Sequence, residues 1–193
     1  MANKRFERDA SGNKTVYPHV VLRSAARWAL QVAEDIEKGS FYQALLACLA
    51  TAFTVEAYLN FLGEQLFSKW NSEHEKKKPK DKLKIISQKI GFDLPFKSTE
   101  YQAFTDVFAL RNALVHGKVE SVSGSWQSDK DTKSAVIGLK VHWEKFGTPK
   151  AAKKIHNDCI KLVHALHAAS GVSGPAFGAL MHGIAVTDLS KHK

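Results

Sequence analysis

The sequence predicts a mainly α protein: a bundle of four to five helices carrying one inserted β-hairpin. Three observations lead there. Apolar residues recur at spacings of three and four in several segments, as they do along one face of a helix. One segment, Phe41 to Leu62, is apolar on nearly every face, which suits a helix in the middle of a bundle. After Gly117 the period changes to two, with Ile137, Leu139, Val141 and Trp143 alternating with Gly138, Lys140, His142 and Glu144.

At 193 residues, with 44% hydrophobic and 24% charged content, the chain fits one domain with appendages and enough apolar material for a core. Residues 1–18 read as a flexible basic N-terminal segment, 19–170 as the helical domain, and 171–193 as a Gly-containing C-terminal tail whose Phe177 and Leu180 can pack. Within the domain, Leu22, Ala25, Ala29, Val32 and Ile36 mark a first helix closed by Lys38-Gly39. Ser40 is placed to cap the second, which runs from Phe41 to about Lys69. Asn71 to Asp81 is a charged loop containing Pro79. Leu83, Ile86 and Ile90 define a short helix ending at Gly91, and Phe92 to Pro95 is a turn. Ser98 or Thr99 caps a helix through Tyr101, Phe104, Val107 and Phe108 that stops at Gly117. Residues 118–145 form the hairpin, Val119 to Trp126 being the weaker strand. Thr148-Pro149 then opens a last helix through Ile155, Cys159, Leu162 and Leu166 to Ser170-Gly171.

A formal charge of +9 and a pI near 9.5 suit a polyanionic partner such as RNA. They suit a solvated lysine surface equally, because only five of the 28 basic residues are arginine. Cys48 and Cys159, each inside an apolar helical pattern, read as two buried thiols rather than a disulfide. Met1 to Lys14 is polar and unlike a secretory leader. Gln43, Thr51, Thr54, Glu56 and Asn60 interrupt the longest apolar segment, against a membrane span, so a cytoplasmic location is expected.

The chemistry concentrates at Arg111-Asn112-Ala113-Leu114-Val115-His116. Arg111 falls on the stripe of Phe104, Val107, Phe108, Leu114 and Val115, and a guanidinium on a core-facing stripe must find an anion. Glu56 is the one charged residue between Ser40 and Gly63. Either it pairs with Arg111, or it lies on a narrow polar strip with Asn60 and Glu64. An arginine can grip a phosphodiester with paired donors, and a histidine titrating near neutrality can move a proton at the reacting oxygens. Asn112 and His116 face the same way, whereas Arg111 lies about 140° round the helix from His116. The plainer assignment is a core arginine paired with Glu56 and a histidine closing a helix C-terminus. His156, His164 and His167 lack a third ligand and are expected on a solvent face, so neither a metal site nor a cofactor is expected. Trp143 is expected in the core.

The Arg111-Asn112 pair with His116 after four intervening residues, at the end of an amphipathic helix, resembles the signature of the HEPN superfamily. Glu56-Ala57-Tyr58-Leu59-Asn60 also resembles that family's second helix, whose acidic residue faces the motif. The resemblance spans helices from about 22 to 170, although its specific part is six residues long. It implies a HEPN-like bundle that forms a homodimer with both motifs in one cleft. It further implies metal-independent cleavage of RNA by attack of the 2′-hydroxyl, in a toxin or antiviral defence effector with a cognate antitoxin protein. Carried over by position, His116 is the acid/base, Arg111 the phosphate stabiliser and Asn112 the positioning residue, with Glu56 and Asn60 supporting them and Lys118 touching RNA. The alternatives are a non-catalytic HEPN RNA- or nucleotide-binding module, or a protein-interaction partner. The hairpin directly after the motif departs from the family pattern.

Overall fold

The computed structural model describes residues 16–117, 119–124 and 141–178. Among them lie six α-helices: α1 (Pro18–Asp35), α2 (Ser40–Leu66), α3 (Trp70–Glu73), α4 (Pro79–Ile90), α5 (Thr99–Val115) and α6 (Pro149–Ser170). α2 is the centre of the bundle, packed against α1, α4, α5 and α6, while α5 and α6 also pack on each other. Its inward residues, Ala44, Ala47, Cys48, Ala52, Val55, Tyr58, Leu59 and Leu62, are almost fully enclosed. Small residues in the first half let the neighbouring helices approach closely, and larger ones fill the second half. By length and hydropathy α2 is also the one helix among the described residues that could cross a membrane, yet 56% of its most apolar window is buried inside the bundle.

Local chemistry sets the helix ends. Pro18, Pro79 and Pro149 each stand at a first helical turn, where the missing N–H costs nothing. Ser98 Oγ accepts from Tyr101 N (3.2 Å) and Thr148 Oγ1 from Ala151 N (3.2 Å), so both caps fall where the sequence places them. Gly91 and Gly171 close α4 and α6 in the left-handed region, with φ of 66° and 67°. Ser40 is not a cap: Gly39, at φ 90°, precedes α2 and Ser40 is already helical. α1 takes in Pro18 and stops at Asp35, short of Lys38, and α2 stops at Leu66.

The inserted hairpin has no strand among the described residues. Residues 125–140, which include Ile137 and Leu139, lie outside the described residues. On either side of them there is no strand: 119–124 is irregular and exposed, and His142–Phe146 is a 3-10 helix. Glu144 explains the turn, since its Oε2 accepts from Val141 N (3.1 Å) and folds the backbone back on itself. The turn buries Phe146 and half-buries Trp143, whose indole N–H donates to Glu120 Oε1 (3.2 Å). Trp143 therefore packs against the core as expected, from a turn rather than a strand.

Two further contacts were hidden in sequence. Trp70, at the edge of the charged loop, is only 1% exposed and lies flat on Gly63. The second concerns histidines. His156 is buried, and the lone hydroxyl hydrogen of Thr51 goes to Ala47 O (2.8 Å), so His156 Nδ1–H donates to Thr51 Oγ1 (2.9 Å). The expected solvent face of α6 thus excludes His156. His167 is engaged as well: its Nε2–H donates to Gly174 O (2.7 Å), which leaves Nδ1 to accept from Tyr58 Oη–H (2.9 Å). Cys48 and Cys159 are both buried and free, and burial pushes the Cys48 thiol up to about 12. Part of the tail joins the fold, with Ala176 buried and Phe177 stacked under Arg23 at 4.5 Å; Leu180 lies outside the described residues.

Two stability outcomes are expected. Gly63→Ala puts a methyl group into the Trp70 indole and should cost about 1–3 kcal/mol in urea unfolding with an unchanged m-value. The other is pH dependence. Burial holds His19 and His156 at about 4, well below the ordinary histidine value of 6.5, and the charges of Arg23 and Arg27 add to the effect at His156. Between those values the unfolded chain binds protons that the fold refuses. Stability should therefore be full above 6.5 and fall as the pH drops toward 4, by on the order of 3 kcal/mol for each of the two histidines. Urea unfolding at several pH values across that window checks it; a flat profile contradicts it.

Candidate functional site

The site forms where α2, α4 and α5 meet. α5 presents Tyr101, Phe104, Val107, Phe108 and Leu110 to the core, all at or below 8% exposure. Phe104, Val107 and Phe108 are buried and Leu114 packs on the core as the stripe read in sequence has them. The observed stripe differs at two places: Leu110 is fully buried, whereas Val115 is 58% exposed. Arg111 consequently sits at the boundary between core and solvent, its side chain 22% exposed. That placement lets the aliphatic stem pack while the guanidinium stays at the rim.

Glu56 faces it from α2. Arg111 Nη2 donates to Glu56 Oε2 at 2.7 Å, so of the two placements open to Glu56 the structure has the ion pair. At this partial burial the pair is worth more than an exposed surface bridge and is less costly to assemble than a fully buried one. Arg111 Nη1 donates to Asn112 Oδ1 at 2.9 Å. Two of the five guanidinium N–H groups are thereby used on described partners.

A third charge was missed. Lys82, on α4, is 2% exposed, and its ammonium reaches the other oxygen of Glu56 at 3.4 Å. Lys82 stands within Lys76-Lys77-Lys78-Pro79-Lys80-Asp81-Lys82-Leu83-Lys84, and residue type alone does not distinguish it from its solvated neighbours. The signal available was positional: Lys82 precedes Leu83 and lies four residues before Ile86, on the buried side of a short amphipathic helix.

The remaining candidates are less closely joined. His116 is exposed and forms the C-cap of α5, its backbone N–H donating to Asn112 O at 3.0 Å; among the described residues its ring makes no hydrogen bond to Arg111 or Asn112. It sits one residue past the helix rather than inside the last turn. Gly117 follows without a left-handed conformation. Asn60, one turn along α2 from Glu56, is half-buried, and its Oδ1 has no hydrogen-bond partner among the described residues. Lys118 lies outside the described residues. The structure thus brings together Glu56, Lys82, Arg111 and Asn112, and leaves His116 at the open end of α5. Among the described residues, no three His, Cys, Asp or Glu side chains are grouped as a metal site. Shallow depressions elsewhere, bounded by Phe67, Lys69 and Ser68, include none of the motif residues. No protein-family model, curated protein or solved structure matches the chain.

The shared carboxylate predicts an order of stabilities. Glu56→Ala leaves the enclosed Lys82 ammonium unpaired and should cost about 3 kcal/mol. Arg111→Ala leaves Glu56 still paired with Lys82 and should cost less, about 1 kcal/mol. Chemical denaturation of both variants measures this, and equal losses would contradict the arrangement.

Proposed function

We propose that the chain is a metal-independent endoribonuclease of the HEPN type, working as a homodimer whose two motifs share one cleft. The observation that carries this reading is the state of Arg111. It is fixed in place by Glu56 and Asn112, rim-exposed, and has guanidinium N–H groups without partners among the described residues, while His116 stands exposed at the end of the same helix. In this reaction the RNA 2′-hydroxyl loses its proton to one His116 and attacks the adjacent phosphorus. The bond to the 5′-oxygen breaks, and that oxygen takes a proton from the His116 of the other copy. The products are a 2′,3′-cyclic phosphate and a 5′-hydroxyl. Arg111 stabilises the charge that builds on the phosphoryl oxygens, and Asn112 steadies Arg111.

The outer face of α2 supports the dimer. Tyr42, Leu46 and Phe53 fall on one stripe of the ideal helix and are 69%, 52% and 40% exposed. Glu56 is one turn further along the same stripe, so an apolar strip that another copy can cover runs into the site. The buried free thiols accord with a reducing, cytoplasmic location. The second reading, a HEPN module that binds RNA or nucleotide without cleaving it, is favoured by the pairing of Arg111 with Glu56, which is also what a purely structural arginine needs.

Purified protein incubated with RNA in EDTA tests the proposal. Wild type should cleave, leaving cyclic phosphate ends, and Arg111→Ala and His116→Ala should each lose about 100-fold or more. Adding an excess of His116→Ala to wild type should depress activity below the wild-type share, because a mixed dimer keeps only one of the two histidines. Cleavage that survives both substitutions removes the proposed site; RNA binding without cleavage selects the binding module.

A further inference from the structure

We propose that Lys82 is a positioning residue that sets how strongly Arg111 holds a phosphate group, by sharing the Glu56 carboxylate with it. The inference rests on the phosphate-binding role of Arg111 given above. One carboxylate lies between two cations, at 2.7 Å from Arg111 and 3.4 Å from Lys82, so the cluster carries one surplus positive charge. The two cations are not equivalent. Lys82 is 2% exposed and cannot reach a ligand, while Arg111 is 22% exposed. The surplus charge is therefore available to a ligand only through Arg111.

The consequence appears when an anion arrives. Arg111 must turn some of its donors from Glu56 to the phosphate, and a carboxylate left without a partner beside a phosphate repels it. Lys82 removes that penalty. At 3.4 Å its contact is longer than the 2.7–2.9 Å of a close charge-assisted hydrogen bond, so it can tighten onto Glu56 as Arg111 loosens. Without Lys82, Glu56 and Arg111 form a neutral pair, and each phosphate contact competes with the carboxylate for the guanidinium. The ligand class is a phosphate monoanion or dianion, free or within a nucleic-acid backbone.

Charge balancing provides the test. The probe is inorganic phosphate, and the readout is the Arg111 Nε–Hε resonance in proton–nitrogen spectra of the full chain. Lys82→Met should weaken phosphate about tenfold, and Glu56→Gln should strengthen it about tenfold. The double variant Lys82→Met/Glu56→Gln should return to within about threefold of wild type. A lysine that only fills space would show no such recovery. If Lys82→Met does not fold, Glu56→Gln and the double variant carry the test: tighter binding in the first and wild-type binding in the second are expected. The proposal is overturned if Lys82→Met binds phosphate like wild type, if the double variant stays far from wild type, or if phosphate leaves the Arg111 resonance unmoved. RNA cleavage measured on the same samples separates the two claims. Phosphate binding in this pattern without cleavage defeats the ribonuclease reading alone; cleavage with phosphate affinity indifferent to Lys82 defeats this inference alone.

Discussion

The carboxylate of Glu56 is the constraint to which the middle of this bundle answers. It lies on the most apolar helix of the chain, where a lone charge is tolerated only if partnered. Its partners come from two other helices, Lys82 from α4 and Arg111 from α5. α4 and α5 each bury a separate apolar stripe on the bundle, so dispersion and hydrophobic burial hold them against α2 without specifying how far they slide. The ion cluster supplies that specification: a shift of one helical turn in either α4 or α5 would bury a cation with no anion near it. Buried charges add little net stability compared with well-packed apolar residues, but they penalise wrong arrangements heavily. Here the penalty falls on the same residues that the motif requires to be in register.

Much of this was legible in sequence, for a reason specific to the residues. Arg111 and Glu56 were each misfits in their own helices, and two misfits of opposite sign in a small bundle have few other partners. Lys82 was not legible, because a lysine among lysines is no misfit until the helix phase is known. Trp70 was hidden similarly: it falls between a helix read to about Lys69 and a loop read from Asn71, and only the absence of a side chain at Gly63 makes room for the indole. The helix caps at Ser98 and Thr148 were readable because a cap is a local event, decided within four residues. The turn at His142–Phe146 was hidden for the opposite reason. It lies at the end of an alternation running from Ile137 to Glu144, and the deciding contact, Glu144 back to Val141 N, is not a matter of hydrophobic period. His156 was misplaced by one face because Thr51, its partner, lies on α2, far away in sequence.

The histidines divide the molecule into two chemistries. His19 and His156 are enclosed, held neutral near physiological pH by burial, and serve packing. His167 has both ring nitrogens committed to Tyr58 and Gly174. His116 differs from all three in standing exposed at the end of a helix, where a ligand can approach. The α1–α6 side of the bundle, by contrast, is built to keep protons out.

On the ribonuclease reading, α4 serves both the fold and a polyanion. Lys82, Leu83, Ile86 and Ser87 face inward, while Lys80, Lys84 and Lys89 face solvent. The outer lysines contribute a diffuse positive field that, on that reading, draws a phosphate backbone toward this side of the molecule and weakens with salt. The inner lysine contributes nothing to that field's reach but decides what happens at contact, because it determines whether Glu56 opposes the incoming phosphate or is already neutralised. On the ribonuclease reading, attraction and grip are then separate properties of the same helix. Salt would weaken the first strongly and the second little, since a cluster this enclosed is poorly screened. On that reading the site discriminates between phosphate that merely approaches the surface and phosphate that reaches Arg111.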